Sequence, residues 1–284
     1  MSGINSIISK NKSMHKIKII AEIGWNHMGK MDLAKKMILA AKKNGADMCK
    51  FQTWSEKNLK SGPWDFDGRR EIYKKAELSY AKHLLLKKFC KKVGINFLSS
   101  IFSQRDLRLV KKVGITEVKI PSHEIYNIKL IKEASKKFKK VYISTGASNW
   151  KEILNIKKYI KRKNLVLMHC VSAYPCNVDK INLLKMEKLK NLSLEIGYSG
   201  HYQGIDDAVA AICTGAKFVE KHFTINNKLP GRDNKFAILP SELKKLSNFR
   251  DKYEKMLIYR GLNLQSCERD IYKNYRGRWN KKNI

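Results

Sequence analysis

The chain has 284 residues, 43% of them hydrophobic, and its 59 lysines and arginines against 25 acidic residues give a formal net charge of +34. That length suffices for one large core, and no apolar run nears the roughly 18 residues needed to cross a bilayer, so a membrane protein is not expected. Residues 1–16 read as a polar leader without the apolar centre of a secretory signal. Cys49, Cys90, Cys170, Cys176, Cys213 and Cys267 form no C-x-x-C pair, which argues against a zinc knuckle or a disulfide framework and for a cytoplasmic protein.

Such a charge invites a polyanion partner, but its distribution does not. Lysines fall in pairs on nearly every predicted helix, as at Lys35-Lys36, Lys87-Lys88 and Lys136-Lys137, which spreads charge around the whole exterior. With no recognisable nucleic-acid-binding motif beside them, these read as solvated faces, and nucleic acid is not the expected partner.

In chain order, strand-like apolar runs occupy 17–23, 46–51, 95–99, 117–120, 141–144, 165–169, 192–199 and 217–223. Between them, stretches with apolar residues at three- and four-residue spacing predict helices over 32–43, 80–92, 104–112, 128–137, 150–162, 182–190 and 205–214, and a last helix spans 241–258. Gly45, Gly94, Gly114 and Gly215 each punctuate a helix-to-strand passage at the same phase. Eight βα units in a chain of this size specify an α/β fold of the TIM (β/α)8 barrel type over residues 17–260, followed by a basic tail at 261–284. The longest insertion, 53–77, follows the second strand and belongs on the carboxyl face, where barrels do their chemistry.

The carboxyl rim can therefore be read from the strand ends. His201 and His222 close consecutive strands of one βα unit, so their imidazoles should emerge side by side; they are either satisfied structural residues or ligands of a divalent cation. Five of the seven histidines, His27, His123, His169, His201 and His222, fall at this edge. No carboxylate flanks the pair in sequence. Lys50 and Lys119 lie within buried strands, where an ammonium is costly unless it meets an anion, and hydroxyls at Ser100, Ser122, Ser144, Ser172 and Ser199 can donate to the same group. A phosphate or carboxylate substrate satisfies both facts; the competing reading pairs a lysine with Glu22 or Glu124 inside the barrel.

The segments Ala21-Glu22-Ile23-Gly24-Trp25-Asn26-His27, Lys50-Phe51-Gln52-Thr53, Ser144-Thr145-Gly146, His169-Cys170-Val171-Ser172-Ala173-Tyr174-Pro175, Gly197-Tyr198-Ser199-Gly200-His201, Glu220-Lys221-His222-Phe223 and Pro230-Gly231-Arg232-Asp233 resemble, in order, those of the sialic acid synthase family. The resemblance implies condensation of phosphoenolpyruvate with an N-acylated amino sugar, such as N-acetylmannosamine, to a nonulosonic acid, with release of phosphate. It also implies Mn²⁺ or Mg²⁺ on His201 and His222, Glu22, Lys50 and Lys119 at the reacting centre, and phosphoenolpyruvate on Ser100, Ser122, Ser144, Ser172 and Ser199. Gln52, Glu124, Tyr174 and Asp233 match positions near the sugar. Family members commonly form homodimers and continue into an antifreeze-like domain, which this chain, ending at Ile284, is expected to lack or to meet as a separate protein. Gly200 stands where the family usually has aspartate, and Ser99-Ser100-Ile101-Phe102 replaces an S-T-P-F segment. These departures leave open a related synthase with another aldehyde acceptor, or a non-catalytic carbohydrate-binding relative.

Overall fold

The computed structural model describes residues 16–63 and 65–279; the leader at 1–15, Trp64 and the lysine pair at 281–282 lie outside the described residues. Eight strands, β1 (Lys18–Gly24), β2 (Met48–Thr53), β3 (Asn96–Ile101), β4 (Glu117–Ile120), β5 (Lys140–Ser144), β6 (Leu165–His169), β7 (Glu195–Gly200) and β8 (Phe218–His222), pair in sequence order and close into a barrel. Every pairing is parallel, including β8 against β1. The helices are α1 (Met31–Lys43), α2 (Arg69–Ala76), α3 (Tyr80–Val93), α4 (Gln104–Lys112), α5 (Ile128–Lys137), α6 (Trp150–Ile156), α7 (Lys185–Leu189), α8 (Asp206–Cys213) and α9 (Pro240–Met256). The expected (β/α)8 barrel is what forms. The chain divides into two compact units, His15–Lys252 and a second that contains Tyr253 onward. In the second, a short turn of helix at Ile271–Tyr275 carries Tyr272, whose ring lies 3.8 Å beneath the Arg276 guanidinium.

Local chemistry sets most boundaries. Ser79 and Ser103 cap α3 and α4 by accepting from Lys82 N and Asp106 N, and Asn149 forms a capping box with Glu152 at the start of α6. The punctuating glycines take the left-handed conformation, from φ +72° at Gly94 to +100° at Gly215. Three expectations need correction. The helix expected over 150–162 stops at Ile156, because Lys158 N and Tyr159 N bond three residues back and fold buried Ile160 onto the barrel. The one expected over 182–190 begins only at Lys185, since Asn182 has φ +53°. Leu192 and Ser193 bond to Leu189 O and so finish that helix instead of opening β7.

Alternation along the strands sorts the barrel interior into layers. Ile20, Met48, Leu98, Tyr142, Val166, Met168 and Phe218 form one buried apolar cluster. Two residues further along three of these strands come Glu22, Lys50 and Glu220, and two further along β8 comes His222. The insertion at 53–77 contains α2 and packs Trp54 and Tyr73 around Trp25, while Arg232 in the loop after β8 is 2.8 Å from Asp67 within it.

Candidate active site

The lysines do not wait alone. Lys50 Nζ is 2.8 Å from Glu22 Oε2 and 3.5 Å from Glu220 Oε1, and Lys119 Nζ is 2.7 Å from the same Glu220 oxygen. The competing reading is thus half realised: Glu22 is a partner, Glu124 is not, and Glu220, the carboxylate that holds both lysines, was missed. Its signal was legible, because Glu220 lies two residues before His222 and shares its inward phase. Lys50 also donates to Ser100 at 2.8 Å, Lys119 to Ser199 at 3.1 Å, and Gln52 to Glu22 Oε1 at 2.6 Å.

Burial alone pushes the Lys50 ammonium down, but Glu22 and Glu220 outweigh it and its pKa rises. Lys119 ends lower than usual, as burial and the Lys50 charge exceed the pull of Glu220. Burial would raise Glu220 too, yet the two lysines hold it below the ordinary range, so it stays ionised. Glu22 goes the other way: burial, with Glu220 nearby and despite Lys50, lifts its carboxyl to about 7. Two carboxylates of one cluster are thereby set apart, one fixed as an anion and one poised to exchange a proton.

Beside this cluster lies a ring of hydroxyls. Gly146 N donates to Ser122 Oγ at 3.2 Å, and a Cβ at Gly146 would fall 2.5 Å from Ser172 Oγ, 2.9 Å from Ser122 Oγ and 3.1 Å from Cys170 Sγ. Glycine is what keeps that space open. Ser144 Oγ is buried and makes no hydrogen bond among the described residues. A buried hydroxyl without a partner is uncommon and points to something the cavity receives.

Of the five rim histidines, His27 accepts from Gly29 N, His169 meets the Ile181 carbonyl at 2.7 Å, and His123 lies against Phe102. Only His201 and His222 come together, with ring centroids 5.5 Å apart. His201 Nδ1 lies 2.7 Å from the Val171 carbonyl and 3.8 Å from Cys170 Sγ; burial pushes its pKa down, but Cys170 and that carbonyl outweigh it and raise it, so only the neutral form, donating through Nδ1, would offer Nε2 as a ligand. Burial, the His201 charge and the surrounding lysines keep His222 well below the usual histidine pKa and therefore neutral. The expectation of no carboxylate beside the pair fails: Asp233, brought in by the loop after β8, puts Oδ2 3.3 Å from His222 Nδ1. Sequence separation hid this contact. Burial lifts Asp233 to about 6, with the Trp25 indole and His201 pulling against it. Tyr174 and Phe236 wall the pair, with Tyr174 4.0 Å from His201 and Phe236 5.2 Å from His222. Among the described residues no group of three or more His, Cys, Asp or Glu side chains is arranged to hold a metal ion. What exists is a pair of imidazoles with Asp233 beside His222, donors whose chemistry would suit a divalent cation that takes its other ligands from water or substrate oxygens. Glu124 stands apart and accepts from Asn127 within its own turn.

A cavity at the amino-terminal end, lined among others by Lys16, Lys18, Glu117, Lys140, Tyr142 and Glu195, carries in its wall the contacts Lys140–Glu195 at 2.6 Å and Tyr142–Glu117 at 2.7 Å. The carboxyl mouth is the candidate site. A closed barrel whose mouth pairs buried lysines with glutamates, beside open hydroxyls and two imidazoles, is an enzyme built for anionic substrates. The chain belongs to the NeuB family, the sialic acid-type synthases, matching its pattern over residues 37–260. It is 39% identical over 250 residues to the N,N'-diacetyllegionaminic acid synthase of Campylobacter jejuni, covering 82% of this chain and 75% of that protein. Pseudaminic acid synthase of the same species is 32% identical over 81% of this chain and 71% of its own. Among solved structures, the sialic acid synthetase of Leptospira borgpetersenii, crystallised with citrate, superimposes with a TM-score of 0.81 at 32% identity over 93% of each chain.

Two measurements bear on the charge cluster. Glu220→Gln leaves two buried ammonium groups to share Glu22, and chemical denaturation should show a loss of about 3–5 kcal/mol; a loss below about 1 kcal/mol would mean that the lysines do not depend on it. Because folded Glu22 keeps its proton to about pH 7 whereas an unfolded glutamate releases it near 4.3, its contribution to stability is complete below about pH 4 and is lost as pH rises through 7. In Glu22→Gln the fall in stability between pH 4.5 and 7 should be shallower by about 2–3 kcal/mol, and an unchanged slope would contradict this assignment.

Proposed function

We propose that this barrel condenses phosphoenolpyruvate with an N-acylated amino sugar to give a nonulosonic acid and inorganic phosphate. The observation that carries the reading is the coexistence, in one mouth, of an anion-binding half and an imidazole half. Lys50, Lys119, Ser100, Ser144 and Ser199, with Ser122, Ser172 and Gly146 N, offer donors enough for a carboxylate and a phosphate. His201, His222 and Asp233 would hold Mn²⁺ or Mg²⁺, which when bound supplies Lewis acidity at the sugar aldehyde.

In this reading the enol carbon of phosphoenolpyruvate forms a bond to the aldehyde carbon, and protonated Glu22 gives its proton to the aldehyde oxygen and becomes a carboxylate. Positive charge then develops at the carbon bearing the phosphate ester, where ionised Glu220 and the carboxylate form of Glu22 are the stabilising charges. Water adds to that carbon and gives its proton to Glu22, whose pKa of about 7 suits exchange at neutral pH. Breaking the ester C–O bond releases phosphate, which takes the proton of the added hydroxyl, and leaves the ketone of the product. The lysines neutralise the departing phosphate. Tyr174, 53% exposed and tilted against the His201 ring, and Gln52, bonded to Glu22, would contact the sugar, as Asp233 would. Glu124 is proposed to act from the outer rim. The six free cysteines, four of them buried, support a reducing cytoplasmic setting, and no described helix is long and apolar enough to cross a membrane. A partner subunit would complete the sugar side.

Phosphate release is the direct test: the protein with phosphoenolpyruvate and a panel of N-acetyl and di-N-acetyl amino sugars, with and without Mn²⁺, should release phosphate only when sugar and cation are both present. No release with any acceptor would overturn the synthase reading. His201→Ala and His222→Ala should each lose turnover at least 100-fold while remaining folded. Ser144→Ala tests the anion half, because its hydroxyl has no protein partner to lose. Stability should change little, while KM for phosphoenolpyruvate rises about 10- to 100-fold, the worth of a hydrogen bond to a charged group; an unchanged KM would remove Ser144 from the site.

A further inference from the structure

Behind the imidazole pair lies a second buried ion pair that the reaction above does not use. Asp207, in the first turn of α8, is bonded to Lys221 Nζ at 2.9 and 2.8 Å through its two oxygens, and these side chains are 0% and 2% exposed. Tyr198 OH donates to the same carboxylate at 2.9 Å. Lys221 Nζ also donates to the Tyr202 carbonyl at 2.7 Å. Lys221 directly precedes His222, and Tyr202 directly follows His201. One ammonium therefore links the two backbone segments that carry the imidazoles, and Asp207 is the charge that holds it in place.

Gly200 adds the decisive constraint. A Cβ built there would lie 2.1 Å from Asp207 Oδ2 and 2.5 Å from Tyr198 Cε1. A side chain at 200 and the carboxylate of Asp207 thus compete for one space. That space is 2.8 Å from Lys221 Nζ, within reach of a carboxylate grown from position 200 as well as from position 207. We propose that Asp207 is a positioning residue that supplies, from α8, the carboxylate a side chain at position 200 would otherwise supply from β7, and that through Lys221 it sets the spacing of His201 and His222. This role rests on the imidazole pair being the cation site; the exchange of positions does not.

The test uses the metal-stripped full chain with Mn²⁺ as probe, in Asp207→Asn, Asp207→Ala, Gly200→Asp and the double variant Gly200→Asp/Asp207→Ala. Asp207→Asn keeps the shape and removes the charge, so it should stay folded by circular dichroism while Mn²⁺ affinity falls at least tenfold, with kcat reduced and KM for phosphoenolpyruvate within twofold. Gly200→Asp alone should lower the thermal midpoint, and the double variant should recover both midpoint and Mn²⁺ affinity relative to either single change. If the alanine variant fails to fold, Asp207→Asn and the double variant still decide. Wild-type Mn²⁺ affinity in Asp207→Asn would overturn the positioning role, and a double variant no more stable than Gly200→Asp would overturn the exchange. A wild-type protein that binds no Mn²⁺ would instead sink the cation reading and the positioning role together, while the thermal midpoints continue to judge the exchange.

Discussion

Glu22, Lys50, Lys119 and Glu220 form one buried ionic cluster, and the barrel can exist with lysines at its centre only because the carboxylates are there too. An isolated ammonium in such surroundings would lose its charge or unfold the barrel. Pairing keeps the lysines charged in a place where their fields are little screened, which is the condition under which a few fixed charges do chemical work. The apolar layer of Ile20, Met48, Tyr142 and Phe218 closes the barrel beneath them.

The cluster with Glu22 ionised has two charges of each sign, and a neutral cluster would hold an anion poorly. The raised pKa of Glu22 resolves this. When Glu22 takes a proton, the remaining groups carry a net positive charge, and Lys50 is released from its closest partner. Arrival of an anionic substrate and protonation of Glu22 would therefore favour each other, and in the proposed reaction Glu22 would pass that proton on before the carboxylate is needed to take the proton of water. The same residue thus tunes binding and stands ready for proton exchange, whereas Glu220, held ionised by both lysines, cannot do either.

Legibility followed the distance over which each contact acts. Strand and helix positions depend on local periodicity and capping, so the eight-unit barrel could be read directly, and His201 and His222 could be called neighbours because consecutive barrel strands must be adjacent. Contacts between distant strands were not legible in the same way. Lys119 and Glu220 meet across the barrel, and Asp233 reaches His222 from a loop, so neither carboxylate was placed with its partner. Helix α7 was overextended for another reason: apolar spacing marks the residues that face the core but does not show where Asn182 turns the backbone to positive φ. Ser144 was named as a donor, but only the packed structure shows that nothing else in the described protein uses it.

The charge of the whole chain misleads about the site in the same way. Among the described residues, the buried ionisable side chains include Glu22, Asp106, Asp207, Glu220 and Asp233 against Lys50, Lys119, Lys221 and Arg250, a nearly balanced set inside a chain of net charge +34. The excess is carried by the exterior, where a lysine costs little to place and contributes little to folding. Inside, each cation must meet an anion. With glycine at position 200 no unpaired lysine results: the carboxylate of Asp207 occupies the adjoining space and neutralises Lys221. In the proposed exchange, the carboxylate that the sequence does not place next to His201 is presented from a neighbouring helix.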